Sequence, residues 1–180
     1  MARQGYDGAS IADVAKAAKL TPGLVHYHFK NKQEILLAAL RDLSERHLAR
    51  LDARLAMHGD DPRRQLDALI DFHLGLGADA DPDALACWIL LSGEALRDAK
   101  VRVRFEKALA AVAERLEAVI RRGATGGAFT CEEPAAAASA LLATIQGYFV
   151  LAATARSLIP KGSAAATTKL MGRGLLGSAP

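Results

Sequence analysis

The segment Ser10–Lys32, SIADVAKAAKLTPGLVHYHFKNK, constrains this chain more than any other stretch. Ser10 and Asp13 have capping-box spacing ahead of Ile11, Val14 and Ala15, which predicts a short helix over 10–18. Ala17-Ala18-Lys19-Leu20 makes the turn. Thr21 then offers an N-cap, and Pro22 sits where a missing N–H does no harm, so a second helix runs over about Thr21–Phe29. Asn31 with Glu34 starts a third. Two short helices, a tight turn and an immediate third helix form a helix-turn-helix layout, in which the second helix enters the DNA major groove.

The rest of the chain is helical by the same kind of signal. The third helix runs to about Met57, where Gly59 stops it, with Leu36, Leu40, Leu43, His47, Leu51 and Leu55 on one face. Asp61-Pro62 and Asp81-Pro82 repeat the cap-plus-proline device. Leu66, Leu69, Ile70, His73 and Leu74 make the first of the following stripes, and Leu85, Trp88, Ile89 and Leu96 the second. Val101, Phe105, Leu109, Val112, Leu116, Val119 and Ile120 continue the pattern to a break at Gly123–Gly127. Thr130 with Glu133 is expected to cap the next helix, and a last one spans roughly Ser163–Leu176. Alanine and leucine dominate and no alternating pattern is sustained, so the expected class is all-α.

Charge follows this division. Residues 1–50 carry eight Lys/Arg against five Asp/Glu, whereas residues 51–180 balance at fifteen each. The basic excess therefore lies in the segment expected to meet phosphates. Cys87 and Cys131 are far apart and lack metal-ligand spacing, and MARQGYDGAS has no apolar signal core, which fits a reducing cytoplasm. Ala135–Ala155 contains no charge over a length that could cross a bilayer. It can equally be a helix covered on both sides within a soluble assembly. No nucleophile–base pair, phosphate-binding glycine loop or paired metal ligands occur, so neither an enzyme nor a cofactor is expected. His26 and His28, two apart on a helix, do not converge on a metal.

In the helix-turn-helix, Leu24, Val25 and Phe29 are expected to pack inward. Thr21, Pro22, Gly23, His26, Tyr27 and His28 remain as outward groups. Gly23 permits close backbone approach, and a helix N-terminus favours phosphate. Gly5-Tyr6, Ser10, Asp13, Ala15, Ala18, Thr21, Gly23, His28-Phe29, Lys32 and Ile35-Leu36 together resemble the DNA-binding head of TetR-family transcriptional regulators. That resemblance implies that Ser10 and Thr21 anchor phosphates, that Pro22, Gly23 and Leu24 lie nearest the bases, and that His26, Tyr27, His28 and Lys32 flank the groove. His26 stands where the family usually has tyrosine. Family members also carry a complete helix before the Gly-Tyr pair. Only four residues precede it here, so the head is expected to be incomplete at its N-terminus, through a truncated or mis-assigned start.

The body resembles a BetI-type regulatory domain through Trp88, Glu94-Ala95, Phe105, Gly126–Phe129, Ala137–Leu142, Gln146-Gly147-Tyr148 and Ile159-Pro160. The resemblance implies a homodimer joined through the C-terminal two helices, with Ala143 and Gly147 permitting close approach. It also implies an effector pocket, for which Phe72, His73, Trp88, Glu94, Phe105, Gln146 and Phe149 are the candidates. His47 and His73, on apolar stripes, read more simply as histidines at the core edge.

The expectation is a helix-turn-helix head over residues 1–48 and an effector-binding, dimerising body over 49–180. Its partners would be a pseudo-palindromic DNA operator, a small-molecule effector and a second copy of itself, as in a ligand-released repressor. Two alternatives stay open. One is a small-molecule-binding helical dimer that has lost DNA binding; the other is a membrane-associated helical protein.

Overall fold

Capping side chains decide where the first helices begin. In this computed structural model, which describes residues 8–75 and 82–177, helix α1 spans Ile11–Ala17. The Ser10 hydroxyl accepts from the Asp13 amide at 3.1 Å, and the Asp13 carboxylate accepts from the Ser10 amide at 2.8 Å. The expected capping box is complete. Lys19 then takes a left-handed conformation, φ 57°, which turns the chain into α2, Pro22–His28. Thr21 caps α2 by accepting from the Leu24 amide at 3.3 Å. Helix α3 spans Lys32–Ala56, and its first turn is held by the Glu34 amide donating to Asn31 Oδ1 at 3.0 Å.

The further helices among the described residues are α4, Pro62–Leu74; α5, Pro82–Ala95; α6, Ala99–Thr125; α7, Pro134–Thr154; and α8, Ser163–Leu175, with a 3-10 turn at Arg156–Leu158. Asp61 caps α4 through the amides of Arg63 and Arg64. The Gly5-Tyr6 pair and the Asp81 cap lie outside the described residues. One expected cap does not form. Helix α7 starts after Glu133 with no side-chain cap bond. Thr130 is drawn instead to the end of α8, where its amide donates to the Leu176 carbonyl at 2.9 Å and its hydroxyl to the Gly177 carbonyl at 3.4 Å. Proline at the first position lets α7 begin without that side chain.

Contacts divide the chain into two compact units, Met1–Arg46 with Pro82–Ala108, and His47–Asp81 with Leu109–Pro180. Helices α3 and α6 each contribute to both. In the first unit Leu36 and Leu40 of α3 pack with Leu91 and Ala95 of α5 and Val101 of α6, and Trp88 and Phe105 close over them. In the second, Leu51, Leu66, Leu69, Ile70, Leu116, Ile120, Leu141, Ile145 and Leu176 form a continuous buried cluster. Each such side chain contributes about 1.5–3 kcal/mol through removal of apolar area from water. Phe129, folding back after α6, lies so close against Gly123 that a Cβ there would clash with its ring. Any side chain at that position must displace the ring.

Candidate nucleic-acid interface

Helix α2 is only seven residues long, so it can bury little. Val25 is its one buried residue. Leu24, expected to pack inward, is 43% exposed, because a helix this short has a single deep inward position. Thr21, Pro22, Gly23, His26, Tyr27 and His28 are all exposed, and Phe29 is half-buried just after the helix. Tyr27 stands out furthest, at 82% exposure, with its ring edge-to-face against His28 at 5.1 Å between centroids. Helix α2 with its cap therefore offers a threonine and a backbone-exposing glycine at its start, and two imidazoles and an uncovered tyrosine in its last turn, to the outside.

The two candidate phosphate anchors have different freedom. Thr21 Oγ1 accepts a hydrogen bond from Leu24, which leaves its own O–H to donate elsewhere. Ser10 Oγ donates to Asp13 Oδ2 at 2.6 Å while accepting from the Asp13 amide, so both of its roles go to the capping box. Asp13 gains from this, since the Ser10 hydroxyl and amide hold its carboxyl below the usual range. Lys32, expected beside the groove, sends its ammonium to the Ala9 carbonyl at 3.0 Å. It ties the first turn of α3 to the residue before the α1 cap.

The effector candidates fall into two groups, one in each unit. In the first unit, Trp88 and Phe105 stack with ring centroids 4.4 Å apart. Glu94 faces Arg97 across 3.6 Å with little of its side chain exposed. In the second unit, Phe72 is buried, and His73 meets the rings of Phe72, His47 and Phe149 at centroid distances of 5.3, 5.0 and 6.3 Å. The Nε2 atoms of His47 and His73 are 3.1 Å apart, and His73 Nδ1 lies 2.8 Å from the Leu69 carbonyl. That carbonyl can only accept, so Nδ1 carries the proton and Nε2 of His73 accepts from His47. Burial, with His47 alongside, pushes His73 down to about 4, and burial lowers His47 as well. Both rings are thus neutral at neutral pH. Gln146 sits half-buried one turn before Phe149 on α7.

Sequence reasoning left two contributors out. The Arg50 guanidinium lies 5.7 Å above the Phe72 ring, and the partnership of His47 with His73 joins α3 to α4. The inward placement of both histidines was the available signal. Only packing shows that they face each other. Among the described residues no group of three or more His, Cys, Asp or Glu could hold a metal ion. Among the described residues one helix, Pro134–Thr154, is long and apolar enough to cross a membrane, a test that core helices of soluble proteins also pass.

Comparison with known proteins gives a consistent match. Residues 62–175 match the family described as BetI-type transcriptional repressor, C-terminal, and residues 1–39 match bacterial regulatory proteins, tetR family. The chain is 33% identical over 101 residues to the HTH-type transcriptional regulator BetI of Rhizobium meliloti, covering 55% of this chain and 48% of that protein. It is 43% identical over 68 residues to BetI of Stenotrophomonas maltophilia, covering 37% and 34%. These alignments thus span half or less of the length of the curated relatives. Among solved structures, a chain from Saccharomonospora viridis in complex with choline superposes with TM-score 0.80 at 25% identity, covering 98% of this chain and 88% of that one. A TetR transcription regulator from Haloarcula marismortui superposes with TM-score 0.83 at 23% identity, covering 98% and 89%, and shows the same fold.

Proposed function

This chain belongs to the tetR family of bacterial regulatory proteins, with a BetI-type C-terminal region, and from that membership we propose that it is a dimeric, ligand-responsive repressor acting in the cytoplasm. The exposed, capped helix α2 carries the reading. Its outward residues Thr21, Pro22, Gly23, Leu24, His26, Tyr27 and His28 meet the major groove, with Lys32 at a phosphate edge, while Ser10, whose donors both go to Asp13, serves the α1 cap. Tyr27 is the strongest contributor, since an aromatic hydroxyl left 82% exposed on a helix of seven residues serves no packing role.

DNA reading is assigned to residues 1–48, and effector binding and dimerisation to 49–180. Two heads would then address half-sites in successive major grooves, about 34–36 Å apart. The dimer forms through α7 and α8. Leu151, Leu170, Met171 and Leu175 are exposed on these helices, at 36, 68, 51 and 47%. Gly147 and Gly174 face open space, where a Cβ would meet nothing within 4 Å. Nothing in the chain's own packing requires glycine there, whereas a partner helix at close range does.

The effector is a small molecule taken up by the body. Phe72, His73, Gln146 and Phe149 form one lining group, and Trp88, Glu94 and Phe105 the other. The choline complex of the Saccharomonospora viridis neighbour supports a small-molecule ligand for this architecture. An effector acts only through a difference in affinity between the DNA-binding and released states.

The test is selection of binding sites from random duplexes by the full-length chain, followed by titration of Tyr27→Ala against the recovered operator. The expected result is a pseudo-palindromic consensus and a loss of operator preference in the variant. Failure to recover any consensus, or an unaffected variant, would overturn the reading. A chain that stays soluble as a dimer without detergent excludes the membrane alternative.

A further inference from the structure

Helix α6 opens with a dense run of cations. Eleven residues from Arg97 to Lys107 contain Arg97, Lys100, Arg102, Arg104 and Lys107 but only two acids, Asp98 and Glu106. No acidic residue lies in the first turn of α6, which instead carries Lys100 and Arg102. Asp98 caps the helix N-terminus, but like charges at i and i+4, here Lys100 and Arg104, repel. This repulsion costs the isolated chain stability, and an anionic partner would offset it.

The distribution of charge over the whole chain points the same way. The first unit contains twelve Lys/Arg against nine Asp/Glu, whereas the second balances at eleven each. All of the net positive charge therefore belongs to the unit that carries α2. Val101 and Ala108 are buried and Phe105 is half-buried, so they define the inner side of α6 in this unit. Lys100, Arg104 and Lys107, at steps of four and three, form a row along the flank of α6, each one position before a member of that inner stripe. All three cations are exposed.

The nearest carboxylate is already committed. Asp98 Oδ1 accepts from the amides of Lys100 and Val101 at 2.8 and 3.2 Å, and Oδ2 accepts from the Gln33 side chain. Those bonds, Gln33 first, hold the Asp98 carboxyl below its usual range. They also fasten the start of α6 to the first turn of α3, where Gln33 follows Lys32 directly. Val101 reinforces the attachment by packing with Leu36 and Leu40. The start of α6, with Lys100 in its first turn, is thus anchored next to the residue assigned to a phosphate at the edge of the groove.

The geometry points to a second DNA-contacting surface: Lys100, Arg104 and Lys107 on α6 bind duplex phosphates beyond those that α2 and Lys32 reach. This surface rests on the DNA-binding reading above. It adds sequence-independent affinity and carries no base recognition, because flexible cations on an open face engage phosphate as point charges.

The test uses the full-length chain and a duplex that extends well past the operator recovered by selection. A triple variant, Lys100→Gln with Arg104→Gln and Lys107→Gln, changes only exposed side chains. Its log affinity against log salt should lose about 2–3 units of slope, near 0.9 for each phosphate contact, and its low-salt affinity should fall about tenfold or more. Its preference for operator over scrambled duplex should persist. A charge-retaining variant, Lys100→Arg with Arg104→Lys and Lys107→Arg, should keep the wild-type slope. An unchanged slope in the glutamine variant, with operator preference intact, overturns this surface and leaves the role of α2 standing. A wild-type chain with no preference for any duplex overturns both.

Discussion

His47 and His73 lie 26 positions apart in sequence, yet their Nε2 atoms stand 3.1 Å from each other inside the second unit. His73 gives its Nδ1 proton to the Leu69 carbonyl, so the pair holds together only while His73 Nε2 keeps its lone pair. Two polar rings are thereby accommodated among Phe72, Phe149 and the leucines of the core without an orphaned donor.

This pair makes acid stability predictable. Because His73 is lowered from 6.5 to about 4, the unfolded chain binds its proton first as pH falls. Stability is full above pH 6.5, declines between 6.5 and about 4, and has lost about 3 kcal/mol of this contribution at the lower limit. His47, lowered in the same direction, adds to the decline. Urea unfolding at pH 7 and pH 5 should show a loss of about 2 kcal/mol from His73 in the wild type and a visibly smaller loss in His73→Gln. Equal losses in both proteins would remove His73 from the account.

Lys32 carries two roles that one substitution can separate. Lys32→Met keeps the apolar stem but releases the Ala9 carbonyl held at 3.0 Å. Loss of this hydrogen bond should cost the fold about 1–2 kcal/mol, read from the unfolding midpoint. If the ammonium also meets a phosphate, DNA affinity falls similarly across sequences and the salt slope drops by about 1. An unchanged slope with a lowered midpoint would leave Lys32 as an internal tie alone.

Gly147 separates the needs of the fold from those of the dimer. A Cβ at this position meets nothing within 4 Å in the chain, so Gly147→Ala should leave the protein folded and favour the helix by about 0.5–1 kcal/mol. Gly147→Arg places a charge where a second α7 is proposed to approach. Sedimentation should then report a folded monomer with unchanged helical content. A dimer that survives in Gly147→Arg would move the interface to another face.

Legibility varied with the range of the interaction. The starts of α1, α2, α3 and α4 were readable because each depends on a side chain within a few residues, as in Ser10 with Asp13 or Asp61 with the amide of Arg64. The failure at Thr130 has the opposite cause. Its neighbours suit a cap, but the end of α8, 47 positions away, claims its hydroxyl. Leu24 misled for a related reason, since periodicity identifies a helical face without saying how much of it a seven-residue helix can bury.

The sequence by itself determined the helices, the caps at Ser10, Thr21, Asn31 and Asp61, and the exposed polar positions of α2, because these follow from local hydrogen bonding and spacing along one chain. Only the tertiary structure decided which helices share a unit, that His47 faces His73, that Asp98 fastens α6 beside Lys32, and that Phe129 closes on Gly123. Those outcomes depend on packing between segments remote in sequence. Many partners satisfy the same apolar stripe, and complementary shape selects among them.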